Sequence, residues 1–163
     1  MRTAEPRTGL GPWLDSYAGD HRHPVNQRLH EVCVPLILWS AIALMWTIPV
    51  PALLGRPGFW SVAAQVLAFA WYWKHSRRMG GAMFVVFVLL DLPTAWIHAQ
   101  YGASVLRWSA VAVFAVAWVG QFVGHAIEGR RPSFLTDLSY LLVGPAWLLD
   151  KLMRRLGLGG EQA

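Results

Sequence analysis

The sequence predicts an all-α membrane protein, a bundle of about four transmembrane helices followed by a C-terminal interfacial or re-entrant helix. Three observations predict it. Of the 163 residues, 55% are hydrophobic and only 14% are charged, against roughly 25% charged in an ordinary soluble domain. The apolar residues come in long blocks, near the ~20 residues a helix needs to cross ~30 Å of hydrocarbon. The basic residues stand at the ends of those blocks, where they anchor a membrane protein, and make no single patch of the kind that binds nucleic acid. The length suits one domain, residues 1–163.

The first block, 32–54, carries no charge and has Pro49 and Pro51 at its far end. The second, 59–73, is bounded by Trp60 and by Trp71-Tyr72-Trp73, which resemble interfacial belts. The third, 80–101, carries Asp91, Pro93 and His98, and the fourth is 108–127. In lipid the backbone must satisfy its own hydrogen bonds, so these blocks are helices. A fifth stretch within 134–153 contains Asp137 and is interrupted by Gly144-Pro145. As a span it would send Lys151, Arg154 and Arg155 to the wrong side. It reads instead as a segment on the cytoplasmic leaflet, with Ser133 as its N-cap. The tail, 157–163, reads as disordered.

Orientation follows from the cations. Arg2, Arg7, Arg22 and Arg28 precede the first block, Lys74, Arg77 and Arg78 join the second to the third, and Arg130, Arg131, Lys151, Arg154 and Arg155 follow the fourth. The opposite loops hold only Arg56 and Arg107. Both termini are therefore expected in the cytoplasm. No secretory signal peptide is visible, so the first block would direct insertion, into a bacterial inner membrane or an endoplasmic reticulum. The single cysteine, Cys33, rules out an internal disulfide.

Topology also sorts the six histidines. His21, His23 and His30 precede the first block, His75 ends the second and His125 ends the fourth, all at the cytoplasmic face. His98 lies ~27 Å of helix rise beyond Gly80 and belongs to the other face unless the third block breaks at Pro93. Five imidazoles at one face suit iron, zinc or copper. Pro24 disfavours one helix through His21 and His30, so a loop carrying His21 can fold back toward His30. Asn26 can cap the helix or orient a histidine. His125 and Glu128 share a helical face, a spacing used in di-iron carboxylate bundles. Against this stands the plainer reading, histidines at a membrane interface that bind nothing, in a lipid-binding or scaffolding protein. Asp91 is costly in lipid, so it faces the bundle interior, where a hydrogen bond to a neighbouring helix would account for it, and His98 reads the same way. There is no nucleophile elbow, phosphate loop or dinucleotide fingerprint. Four short spans without an inverted repeat argue against transport.

Two segments together resemble a known family. One is Tyr17-Ala-Gly-Asp-His21-Arg-His-Pro24-Val-Asn26-Gln-Arg-Leu-His30, leading to Val34-Pro35-Leu36. The other is Gln121-Phe-Val-Gly-His125, followed by Glu128-Gly-Arg-Arg-Pro132-Ser-Phe-Leu-Thr-Asp137 and Gly144-Pro145. They resemble the Mpo-like family of small membrane proteins, whose fungal member is a 2-hydroxy fatty acid dioxygenase. The resemblance runs from about Trp13 to Leu149, and the middle blocks share only hydropathy. It implies Fe(2+)-dependent α-oxidation: a 2-hydroxy fatty acid reacts with dioxygen, loses carbon dioxide and becomes one carbon shorter. It implies His21, His30 and His125 as the catalytic metal ligands. His75 and His23 are candidates for a fourth position beside them, and Asn26 and Glu128 are candidates for supporting residues. The acidic residue follows His125 by three positions here and by four in the fungal member, about 100° of helix rotation. The resemblance therefore does not carry a ligand role to Glu128. The acyl tail would stay in membrane lipid, with the carboxylate at the interface. Arg22, Arg28, Arg130 and Arg131 could pair with it, though each also serves as a topology anchor. A zinc hydrolase built on the same histidines is separated from this reading by dependence on dioxygen.

Overall fold

Proline and glycine set the helix boundaries. Pro12 stands in the first turn of α1 (Gly11–Asp20) and Pro24 opens α2 (Pro24–Trp46), positions where a missing N–H removes no helical bond. A 3-10 turn at Ala52–Leu54 leads to α3 (Phe59–His75), α4 (Arg77–Glu128) and α5 (Tyr140–Arg155). The computed structural model describes residues 9–129, 131 and 140–158, and no strand occurs among them. The all-α class is thus observed. The expected cap at Ser133, Asp137, Arg130 and the tail beyond Leu158 lie outside the described residues.

Two differences from the sequence reading concern the ends of the blocks. The helix of the first block, α2, starts at Pro24 rather than Val32 and stops at Trp46, before Pro49. The polar turn that carries Asn26 and His30 is therefore helical. The third and fourth blocks are joined without a loop, in one element of 52 residues. The break is a single residue, Gly102, at φ 79° and ψ 172°, a conformation that glycine adopts without the steric cost of a Cβ. It divides α4 into two arms, 77–101 and 103–128, while Pro93 lies within continuous helix.

Side-chain register shows how these pieces pack. Against the first arm α3 is antiparallel: Phe69 meets Phe84, and Gln65 Nε2 donates to Asp91 Oδ1 at 2.9 Å. Asp91 thus has the inter-helix hydrogen bond expected of it. Against the second arm α2 is antiparallel: Ala43 packs on Leu106 and Ala110, Cys33 lies at Gly120 and Asn26 at Gly124. The result is an up-and-down arrangement of α2, α3 and the two arms. Two helices, α2 and α4, are long and apolar enough to cross a membrane. Val85, Leu89, Leu92 and Trp96 on the first arm, and Val116, Val119 and Phe122 on the second, are exposed, an apolar exterior far beyond scattered surface hydrophobes.

One end of the bundle is covered by α1 and α5. Leu10, Leu14 and Tyr17, at helical spacing, pack with Val143, Ala146 and Trp147 onto Tyr72, Met79, Met83 and Phe87. Ser16 Oγ lies 2.7 Å from Tyr140 Oη, and Tyr72 Oη donates to the Leu142 carbonyl at 2.7 Å. The C-terminal segment is therefore docked on the bundle through α1 and α3.

α2 packs closely against a seam of α4, Gly120-Gln-Phe-Val-Gly124. A methyl at Gly120 would stand 2.6 Å from Cys33 Sγ, and one at Gly124 would collide with Asn26 Oδ1. Small residues four apart let two backbones come this close. Gly124→Ala is expected to destabilise the protein by about 1–3 kcal/mol through overpacking, read as a lower unfolding midpoint in detergent. At Gly81 an added methyl meets nothing within 4 Å, so Gly81→Ala stays within about 0.5 kcal/mol of the parent.

Candidate metal centre

The seam and the break at Pro24 bring histidines from both halves of the chain to one place. α1 ends at Asp20, and His21 follows it as the C-cap. His30 lies in the second turn of α2, and His125 in the last turn of α4, beside Gly124. The ring centroids of His21 and His30 are 4.3 Å apart, and each is 5.0 Å from that of His125. Ring nitrogens of all three lie within 4.8 Å of one another. All three side chains are buried, at 1%, 1% and 4% exposure.

Two of the rings are held by backbone carbonyls. His21 Nδ1 is 2.6 Å from the Tyr17 carbonyl, one of the acceptors left free at the end of α1. His30 Nδ1 is 3.0 Å from the Asn26 carbonyl. A carbonyl only accepts, so both Nδ1 atoms carry the proton and both Nε2 atoms present lone pairs. His21 Nε2 and His125 Nδ1 are buried with no hydrogen-bond partner. Such atoms are uncommon in native proteins and costly unless something occupies them. Burial holds the His21 pKa below its usual value, against smaller opposing contributions from the Tyr17 carbonyl, Asp20 and Glu128. His21 is thus kept in the neutral form a metal needs. Orphaned, preoriented, neutral imidazoles fit a transition-metal ion.

Aromatic rings wall the cluster. Tyr17 stacks on His21 at 4.0 Å between centroids, and Trp147 lies 5.8 Å from the same ring. Burial raises the Tyr17 pKa, with Asp20 adding to it, so the phenol stays protonated.

Glu128 is outside the cluster of three. Its Oε1 accepts from the backbone N–H of Arg22 at 2.9 Å, and its Oε2 accepts from that of His23 at 2.8 Å and from Asn26 Nδ2 at 3.0 Å. It therefore clamps the end of α4 to the loop carrying His21 and to the N-terminus of α2, where orphan donors and the helix dipole favour an anion. Asn26 supplies a carbonyl to His30 and an amide to Glu128. The two proposed fourth ligands stand elsewhere. His23 caps α2 by accepting from the Val25 N–H. His75 Nδ1 lies 2.7 Å from the Trp71 carbonyl, and its ring packs on Trp71. His98 is in the first arm near Gly102, away from the cluster. The sequence reading passed over Tyr17, Trp147 and the Gly120/Gly124 seam. Of these only the seam has a recognisable signal, two glycines four apart in an apolar helix.

Glu128→Ala is expected to remove the cap shared by three donors and to cost about 1–2 kcal/mol, with Glu128→Gln losing less because one amide oxygen still accepts. The unfolding midpoint of each variant measures it.

The geometry agrees with what the chain is similar to. Residues 10–156 match the family model described as 2-hydroxy-palmitic acid dioxygenase Mpo1-like. The 2-hydroxy-palmitic acid dioxygenase MPO1 of Saccharomyces cerevisiae is 25% identical over 146 residues, which covers 88% of this chain and 79% of the yeast protein. No solved structure matches the chain. A family model that spans the bundle, both histidine segments and α5 leaves one assignment, and the chain belongs to the Mpo1-like family of 2-hydroxy-palmitic acid dioxygenases.

Proposed function

We propose that this protein is an iron-dependent dioxygenase that shortens 2-hydroxy fatty acids by one carbon at a membrane surface. The observation that carries this is the convergence of three buried imidazoles, two of which, His21 and His125, have a ring nitrogen with no hydrogen-bond partner. Family membership supplies the substrate class. The overall reaction balances without a further reductant: a 2-hydroxy acid and one dioxygen give the shortened acid, carbon dioxide and water.

His21, His30 and His125 would hold the metal. Iron there would supply the chemistry that activates dioxygen toward the 2-hydroxy acid. The chain does the rest. The carbonyls of Tyr17 and Asn26 keep the Nδ1 protons in place and leave the two Nε2 lone pairs free. Tyr17 and Trp147 exclude water from one side. Glu128 fixes the loop on which His21 sits. In this reading α2, α3 and both arms of α4 cross the bilayer, with α1, α5 and both termini on the cytoplasmic side. The acyl tail then lies among the helices and the carboxylate at the rim.

Purified in detergent and loaded anaerobically with iron, the protein is expected to bind the metal stoichiometrically. Alanine at His21, His30 or His125 weakens binding by more than about 100-fold, beyond what loss of a supporting residue costs. The same variants bring dioxygen uptake with 2-hydroxypalmitate to background. His75→Ala and His98→Ala keep both. A parent protein that holds no metal, or turnover that survives the three substitutions, overturns the reading.

A further inference from the structure

An apolar groove of about 360 Å³ lies between α2, the first arm of α4 and α5. Leu38 of α2, Met83, Val86 and Leu90 of α4, and Leu148 and Leu149 of α5 are among its walls. Its charged lining residues, Glu31, Lys151 and Arg155, are gathered at one end: Lys151 Nζ is 2.7 Å and Arg155 Nη2 3.1 Å from the same Glu31 oxygen. Two cations share one carboxylate, so the rim keeps a net positive charge. The other end, at Leu38 and Leu90, is wholly apolar. From Glu31 to Leu38 the helix rises roughly 10 Å, about half of an extended palmitoyl chain.

The rim is joined to the histidines. Lys151 Nζ donates to Gln27 Oε1 at 2.8 Å, and Gln27 Nε2 donates to the His21 carbonyl at 2.9 Å. Trp147, one turn before Lys151, lies against both the Lys151 ammonium and the His21 ring. His30 directly precedes Glu31. A single-chain anion with its tail in this groove has its polar end at the Lys151 rim, which Gln27 and Trp147 connect to His21, and a surplus cation there attracts a carboxylate.

We propose that this groove is the acyl subsite for the 2-hydroxy fatty acid, with Lys151 and Arg155 drawing in its carboxylate and Leu38 and Leu90 setting the chain length it accepts. The proposal rests on the dioxygenase reading and goes beyond it by assigning the tail a place. Leu38→Trp and Leu90→Trp are each expected to lower the ratio of activity on 2-hydroxypalmitate to activity on a 2-hydroxy acid of half the length by at least about tenfold. Metal content stays at the parent level.

Labelling gives a readout that needs no turnover and covers the case in which one tryptophan variant fails to fold. The parent in phosphatidylcholine nanodiscs is irradiated with 2-hydroxypalmitate carrying a diazirine in its distal half, and the modified peptides are mapped. Label on the segments holding Leu38, Leu90 and Leu149, competed by unlabelled 2-hydroxypalmitate, supports the subsite. Label there in a protein that consumes no dioxygen supports the groove and removes the dioxygenase reading. Dioxygen uptake with label elsewhere and an unchanged chain-length ratio overturns the groove and leaves that reading intact. Labelling of the groove by a diacyl phospholipid probe that 2-hydroxypalmitate does not displace makes it a lipid-packing surface and also overturns the proposal.

Discussion

The carboxylate of Glu128 closes the chain on itself. It sits at the end of the longest helix and takes hydrogen bonds from the backbone of Arg22 and His23 and from the side chain of Asn26, more than a hundred residues away. Without it, two backbone donors at the start of α2 would stand unpaired near a helix N-terminus, which is the place an anion is most favoured. The glycine seam below it sets how near α2 and the second arm can come. Clamp and seam act on the same two helices. One fixes the separation and the other fixes the end, and between them His30 and His125 have little freedom to part.

Much of the helical class was legible because long apolar blocks of this kind have few solutions. Long uncharged blocks with cations at their ends can only be helices, and the helical class follows from hydropathy alone. The junctions were harder to read. The stretch 102–107 contains Gly102 and Arg107 and looks like a loop, yet a single left-handed glycine turns the chain and the helix resumes at once. The amphipathic start of the chain also escaped notice. Leu10, Leu14 and Tyr17 have helical spacing, but Gly9, Gly11, Asp15, Gly19 and Asp20 around them give the composition of a polar leader. What makes α1 a helix is its packing against α5 and α3, and a contact between distant segments leaves no local pattern.

The site was legible in part, for a related reason. Charge asymmetry assigned five histidines to one face, and the family resemblance selected His21, His30 and His125, which the structure places side by side. Spacing alone did not separate those three from His23 and His75. The carbonyl contact does not separate them, because His75 Nδ1 meets the Trp71 carbonyl as His21 and His30 meet theirs. The difference is that the rings of His21, His30 and His125 face one another, whereas His23 meets a turn of its own backbone and His75 packs on Trp71. Glu128 was recognised as a helix-face neighbour of His125. Its partners come from the α1–α2 junction, so nothing near it in sequence announced them.

The donor set also bears on selectivity. Three imidazoles bring no negative charge, whereas the two-histidine, one-carboxylate sites of many iron oxygenases cancel part of the charge of the ion. Here the nearest acids stay outside the cluster. Both Glu128 oxygens are committed to N–H donors, and Asp20 contributes to the electrostatics of His21 from outside the cluster. A divalent ion in so buried a place would keep most of its charge, and its attraction for an anion would be large because little solvent screens it. A 2-hydroxy carboxylate supplies both the missing charge and a second oxygen for chelation. An ester or a long-chain alcohol supplies no negative charge. In the proposed reading, neutral imidazole ligands, cations at the mouth of the groove and its apolar walls would therefore select the same molecule, a free acid with a hydroxyl next to its carboxylate and a long tail.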